Sequence, residues 1–162
     1  MSFTLPTPTL EVQHAGFRRF QRTDGEWLLE FPAPDKLWSA NTRIHHRVET
    51  TLKRVWRAAV AEVGEGRIVG EGPWAVMCGL PFRRANAHWD PHNWTSTVVK
   101  VTVDGLGPKT TTKKKDGTIV QNPGAGWWSD DDVTRIKILD SYALVCRKPA
   151  PMTVAVHGFL IG

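Results

Sequence analysis

Asp90-Pro91-His92-Asn93-Trp94-Thr95-Ser96-Thr97-Val98-Val99-Lys100-Val101-Thr102-Val103-Asp104-Gly105-Leu106 is the stretch on which the fold turns, because its local signals point two ways. Asp90 before Pro91 fits a helix N-cap followed by a first-turn proline, whose missing N–H would have had no partner there anyway. The run from Thr95 to Val103 is rich in β-branched residues, which favour a strand, and Asp104-Gly105 would then be a hairpin turn. Against that, Trp94, Val98 and Val101 make one helical stripe, and Val99, Val103 and Leu106 make a neighbouring one. Both readings bury the same apolar residues, so the sequence leaves helix and strand open.

Upstream, Pro73 to Pro81 encloses Trp74-Ala75-Val76-Met77-Cys78-Gly79-Leu80, a near-continuous apolar run that reads as a strand covered on both faces. It leads directly to Arg83-Arg84 and sets Asp90 just beyond the edge of a sheet. Further back, Val48, Leu52, Val55, Trp56, Ala59, Val60 and Val63 recur at three- and four-residue steps and predict a helix with one apolar stripe. Arg47, Lys53, Arg54 and Arg57 lie on its other faces, most simply as a solvated surface. Gly64 and Gly66 end it, as glycines do where the chain leaves a helix in a left-handed conformation. Glu26 to Phe31 reads as a strand stopped by Pro32 and Pro34. Residues 1–24 show little periodicity and read as an arm, with a short strand at 10–12.

Downstream, Gly107 to Gly117 carries Lys109, Lys113, Lys114 and Lys115 among threonines, with Asp116-Gly117 at its tip, and reads as a mobile basic loop or hairpin within 107–125. Two strands are expected after it, Val133 to Cys146 and Met152 to Ile161. With 162 residues and 41% hydrophobic content the chain buries one core and is expected to be a single domain. A formal charge of +5 and a pI near 9.5 favour a polyanionic partner. Cys78 and Cys146, each inside an apolar run, read as buried thiols. No apolar run reaches membrane-spanning length and the N-terminus lacks signal-peptide design, so a cytoplasmic protein with no membrane partner is expected.

Chemistry gathers at the two ends of Arg83 to Asp132. Asp90 stands between His88 and His92 at one end, and Asp130-Asp131-Asp132 at the other. If the ends meet, carboxylates crowd beside many cations, a situation that a divalent metal ion resolves. Taken alone, the triplet is more often a solvated turn or a cap, and the histidines are more often structural. Trp127 and Trp128 could stack on a base, although core packing is the simpler reading for one of them.

The order Arg83-Arg84, Asp90-Pro91-His92-Asn93, Lys100-x-x-x-Asp104-Gly105-Leu106, then Gly126-x-x-x-Asp130-Asp131 resembles the signature of RusA-type Holliday junction resolvases, particularly the bacteriophage branch. Phe31 to His45 is similar to that family's proline-ended first strand and Asn-containing loop, and the likeness covers most of residues 26–162. The resemblance implies an α+β single domain, a mixed β-sheet packed with two main helices, acting as a homodimer that cuts four-way DNA with Mg2+ or Mn2+. It implies Asp90 and Asp131 as metal ligands and catalytic residues, with Asp130 as companion. His92 stands where the family has a second acid, which puts the ligand set in doubt and favours the softer manganese or zinc over magnesium. Ser96 stands where the family's helix lysine is usual, and Lys100, one turn later, takes the phosphate-neutralising role, with Asn93 orienting water or a ligand. Arg83, Arg84, Lys109, Lys113, Lys114 and Lys115 are the expected DNA contacts. Two other readings stay open: a basic nucleic-acid-binding module without catalysis, and a nuclease for other branched DNA.

Overall fold

The computed structural model describes residues 19–67, 69–84, 90–129 and 135–162. Its first element departs from the expected arm: Arg19–Thr23 (β1) is an edge strand that turns at Asp24-Gly25 and pairs antiparallel with Glu26–Pro32 (β2). Phe20 is the lone apolar residue of β1, too little to reveal a period. Backbone pairing and the Asp-Gly turn make the strand instead. The short strand expected at 10–12 lies outside the described residues.

Alternation in β2 sends Trp27, Leu29 and Phe31 to one buried face. The helix that follows, His46–Gly64 (α1), is capped by His45, whose Nδ1 accepts the Arg47 N–H at 3.1 Å. It buries Leu52, Trp56, Val60 and Val63, each side chain worth about 1.5–3 kcal/mol. Two members of the expected stripe stay out: Val48 is 42% and Val55 36% exposed, because only the arc of the helix that faces the sheet is covered. The two terminal glycines also have different jobs. Gly66 leaves with φ 76, the left-handed exit, whereas a Cβ on Gly64 would fall 2.9 Å from Ala125 and Leu106 side-chain atoms. Trp127 Nε1 donates to Gly64 O at 2.8 Å through that gap.

Trp74–Phe82 (β3) is buried from Trp74 to Pro81, as its apolar run predicts, because it lies between two other strands. The five-stranded mixed sheet adds Ile136–Val145 (β6) and Thr153–Leu160 (β7) in the order β1-β2-β7-β3-β6. Among the described residues only the β3–β6 pairing is parallel, so a crossover must join those strands, and a helix serves. The stretch left open is that helix. It runs without a break through Pro91–Trp94 (α2), a widened turn of π type at Thr95–Val99, and Lys100–Leu106 (α3).

Hydroxyls explain why a β-branched run coils here. Thr95 Oγ1 donates to Pro91 O at 2.9 Å, Ser96 Oγ to His92 O at 3.4 Å and Thr102 Oγ1 to Val98 O at 2.8 Å, so residues that lower helix propensity bond the carbonyl one turn back. Thr97 Oγ1 lies 3.3 Å from Asn93 O, one turn back, and makes its shortest bond across the fold, to Trp38 O at 2.8 Å. Gly105 makes no hairpin turn: its bare Cα lets α3 meet α1, where a Cβ would fall 2.9 Å from Arg57 O. Val98, Val99, Val103 and Leu106 are all buried, since the helix is covered from more than one side and both neighbouring stripes are satisfied.

The core joins these layers through indoles. Trp27 and Trp127 meet edge-on at 5.0 Å, Trp27 and Trp74 at 6.1 Å, and Trp127 and Trp128 at 6.2 Å; such contacts add about 0.5–1.5 kcal/mol each beyond their buried area. Both tryptophans of the Trp127-Trp128 pair are therefore core residues. The fold is α+β, a single domain with a five-stranded mixed sheet, a second small sheet and two main helices. Among the described residues, no helix is long and apolar enough to cross a membrane.

Candidate nucleic-acid and metal site

Asp90 caps the helix that crosses to β6. Its Oδ1 accepts the His92 N–H at 3.1 Å, and Asn93 Nδ2 stands 3.5 Å from Oδ2, so the exposed carboxylate is oriented by the first turn. The helix N-terminus favours negative charge there. Two anchors fix this turn on the fold: Ala40 N donates to Asn93 O at 2.7 Å, and Ser141 Oγ of β6 donates to Pro91 O at 3.4 Å. The His92 side chain is exposed. Oxygen from Asp90 and Asn93 suits Mg2+ or Mn2+, and an imidazole suits Mn2+ better.

Asp130 and Asp131 lie outside the described residues, as does His88. Their flanks are described, and both are tied to one carboxylate. Glu71 Oε2 accepts the Ser129 N–H at 3.3 Å, Ser129 Oγ at 3.2 Å and Arg135 Nε at 2.6 Å, while Arg135 Nη2 donates to Ser129 Oγ at 3.2 Å. The Ser129 amide first, and then the Arg135 guanidinium, hold the Glu71 carboxyl below its usual range. Among the described residues no group of three His, Cys, Asp or Glu side chains could hold a metal.

Lys100 pairs with Asp104, Nζ to Oδ1 2.7 Å, one helical turn on, as their spacing predicts. Asp90 and Lys100 stand ten residues apart on one helix, about 15 Å of rise. The structure thus brings Asn93 to Asp90, and Asp104 to Lys100, as two separate groups. Arg83 turns to its own fold: Nη1 donates to Cys146 O at 3.0 Å and to Ala150 O at 2.6 Å, stapling the β6–β7 connection. Arg84 is exposed.

The basic stretch is a built hairpin. Thr110–Lys113 (β4) and Ile119–Asn122 (β5) pair antiparallel as a sheet of their own, and Lys113, Lys114 and Lys115 are exposed at the turn, with Lys109 exposed at the root. Arg57 of α1 was expected on a solvated face. It instead donates from Nε to Pro123 O at 2.8 Å and from Nη2 to Thr110 Oγ1 at 3.3 Å, fixing the hairpin's base. No periodicity in α1 signals that role. For Glu71 a signal existed, an acid set between Gly70 and Gly72 just ahead of a strand.

On the sheet face opposite the helices, Tyr142 and His157 form a further polar pair, Oη to Nε2 2.7 Å. Burial pushes the His157 imidazole down to about 4, so the ring is neutral and its Nε2 accepts from the Tyr142 hydroxyl. Cys78 and Cys146 are buried free thiols, and burial pushes Cys78 up to about 12, which keeps it inert.

No family model matches the chain, and no curated protein matches it. Among solved structures, the periplasmic domain of MotB (residues 64–256) aligns with 99% of this chain and 80% of its own at 8% identity, with a TM-score of 0.39. At that level the likeness carries no argument.

Proposed function

We propose that the chain is a metal-dependent, structure-specific DNA endonuclease acting on four-way or branched DNA. One observation carries the reading: Asp90, the first aspartate of the resolvase-like motif, is an exposed carboxylate oriented by the first turn of a helix at the sheet's edge strand. A structural cap needs only one acceptor oxygen, and the second oxygen of this exposed residue faces Asn93 Nδ2 at 3.5 Å. In this reading Asp90 and Asp131 hold Mg2+ or Mn2+, with Asp130 and His92 as further donors. The ion, when bound, supplies an activated water and a polarised phosphate.

The chain's own residues then divide the work. Asn93, already aimed at Asp90, keeps that carboxylate in one rotamer. Lys100, held by Asp104, offsets charge on a phosphate oxygen. The helix N-terminus adds positive potential where the phosphate approaches. Arg84 and the hairpin lysines supply salt-sensitive backbone contacts. A two-fold homodimer would present two such sites to strands of like polarity, giving paired symmetric nicks, and such a nuclease would work in the cytoplasm of a bacterium or an infected host cell.

The test is cleavage of a synthetic four-way junction beside linear duplex and single strand, with magnesium, manganese or chelator, comparing wild type with Asp131→Asn. Metal-dependent symmetric nicks that vanish in the variant support the nuclease. Tight, salt-sensitive binding with no cutting under any metal would replace it with the binding module, and cuts confined to forks or flaps would redirect the substrate.

A further inference from the structure

Cross-strand register sorts the β4–β5 hairpin into two unlike faces. Thr110 lies opposite Asn122 and Thr112 opposite Val120, and this face is knitted together: Asn122 Nδ2 donates to Thr110 Oγ1 at 3.1 Å and to Thr112 Oγ1 at 2.9 Å. Arg57 reaches Thr110 on the same face, so that side is tied to α1. The other face carries Thr111 opposite Gln121 and Lys113 opposite Ile119, all exposed. Ile119 is 64% exposed, more than any other large hydrophobic residue among those described. Ile119 thus displays an aliphatic side chain to solvent opposite Lys113 at the end of the ribbon.

The ribbon is held stiffly at its root. Ala125 N donates to Gly105 O at 2.9 Å, Gly126 N to Gly107 O at 2.8 Å and Trp127 N to Leu106 O at 2.9 Å, binding the returning strand to the end of α3. At the tip, Lys114 N donates to Thr118 O at 2.8 Å, and Asp116 Oδ1 accepts the Thr118 N–H at 2.9 Å. The hairpin's one acid is thereby engaged in its turn, directly after the exposed Lys113, Lys114 and Lys115.

We propose that this ribbon is a second DNA contact in its own right, on a duplex arm beside the branch point. Lys109, Lys113, Lys114 and Lys115 take backbone phosphates, and Ile119 wedges against a base step. The inference rests on the nuclease reading for its ligand and adds a site that the metal chemistry does not require. A two-stranded ribbon fits a DNA groove, and apolar residues such as Ile are what proteins insert to open a step. At a branch the stacking is already interrupted, which lowers the cost of the wedge. The root sits at the end of the helix opposite Asp90, about 24 Å along its axis, so the ribbon grips DNA away from the phosphate that is cut.

The experiment uses four-way junctions with 2-aminopurine at steps flanking the branch, in chelator so that nothing is cut, and measures fluorescence and the salt dependence of binding. Wild type should raise the fluorescence. Ile119→Ala should abolish that rise with less than about a 10-fold loss of affinity, against the far larger electrostatic share of binding, and Ile119→Leu should restore it. Replacing Lys113, Lys114 and Lys115 together by Ala should flatten the slope of log K against log salt by about 2.7, or about 0.9 per phosphate, and weaken binding about 500-fold at 0.1 M salt. All four positions are exposed, and unchanged thermal melting confirms folded variants. A wild-type protein that binds junctions in chelator, and cuts them when metal is restored, while these variants keep its slope and fluorescence overturns the ribbon alone. A wild type that binds no branched DNA overturns the nuclease reading with it.

Discussion

Asp90 does two jobs that substitution can separate. As a cap, its Oδ1 accepts the His92 N–H at 3.1 Å, and losing such a cap to alanine costs about 1 kcal/mol. Its charge at the helix N-terminus adds about 0.3–1 kcal/mol, less in salt. Asp90→Ala should lose both, about 1.5 kcal/mol, or roughly 3–6 °C in Tm for a chain of this size. Asp90→Asn keeps an amide oxygen in the same place, since Asn caps as well as Asp, and should lose only the charge, about 1–2 °C. Cleavage should respond differently. Even outer-shell partners of a metal cost about 10–100-fold when removed, so loss of a ligand oxygen should drop the junction-cutting rate by more than about 100-fold in both variants. Asp90→Asn should bind the junction at least as tightly as wild type, because a carboxylate that repels phosphate is gone. Urea or thermal unfolding read beside single-turnover cleavage makes the comparison. Equal destabilisation by Asn and Ala would refute the capping argument, and wild-type cutting by Asp90→Asn would remove the carboxylate from the chemistry.

Glu71→Gln weakens the tie between Ser129 and Arg135 and should raise the metal concentration for half-maximal cleavage several-fold with little change in Tm; an unchanged metal titration would make Glu71 a surface ion pair and nothing more. Arg57→Ala should release the hairpin, seen as faster hydrogen exchange at residues 110–122 with the sheet unaffected, and equal protection in both proteins would dismiss the anchor. His157 sits at about 4, below the ordinary 6.5, so the unfolded chain takes up its proton first as pH falls and stability drops between about 6.5 and 4. The full loss is on the order of 3 kcal/mol; His157→Gln should flatten urea midpoints across that window, and an unchanged pH profile would show that the ring does not control it.

Sequence periodicity found the elements whose burial is one-sided or complete. The stripe of α1 and the apolar run of β3 were legible because neighbours on the sheet impose a single period on each. β1 was not, since one phenylalanine among polar residues carries no pattern and the strand exists through its backbone pairing to β2. The Asp90 cap was legible as Asp-Pro and the Lys100–Asp104 pair as a spacing of four. Arg57 was not, because it acts on chain that is 51 to 66 residues away, and contacts of that reach leave no local mark; Glu71, 58 to 64 residues from its partners, showed only as an acid between two glycines. Val98 and Val99 show the same limit from inside a helix: both are buried, so the apolar pattern could not choose between helix and strand.

The widened turn at Thr95–Val99 is where the resolvase-like spacing meets the fold. In a regular helix residues seven apart, such as Asn93 and Lys100, lie within about 20° of one line. One extra residue accommodated in a turn rotates everything beyond it by about 100°, which takes Lys100 off that line and onto the exposed side where it meets Asp104. The insertion is fixed at both ends, by Ser141 and Ala40 on the first turn and by the close approach of Gly105 to α1 on the last. Deleting the exposed Ser96 removes the extra residue and its roughly 100° together, so the turn closes to regular helix and both anchors keep their phase. Inserting an alanine after Ser96 adds a second extra residue instead and forces a choice between these anchors. Keeping the α1 contact would rotate Asp90 and Asn93 away from β6; keeping the first turn would move Lys100 off the exposed side. Either way the relation between the carboxylate and the lysine is lost. The alanine insertion should therefore keep helical circular dichroism while junction cutting falls by at least about 100-fold, the cost of misplacing a group by an ångström or more, whereas the deletion should cut close to the wild-type rate. An insertion variant that cuts at the wild-type rate would show that Asp90 and Lys100 need no fixed phase, and that they do not serve one reacting phosphate.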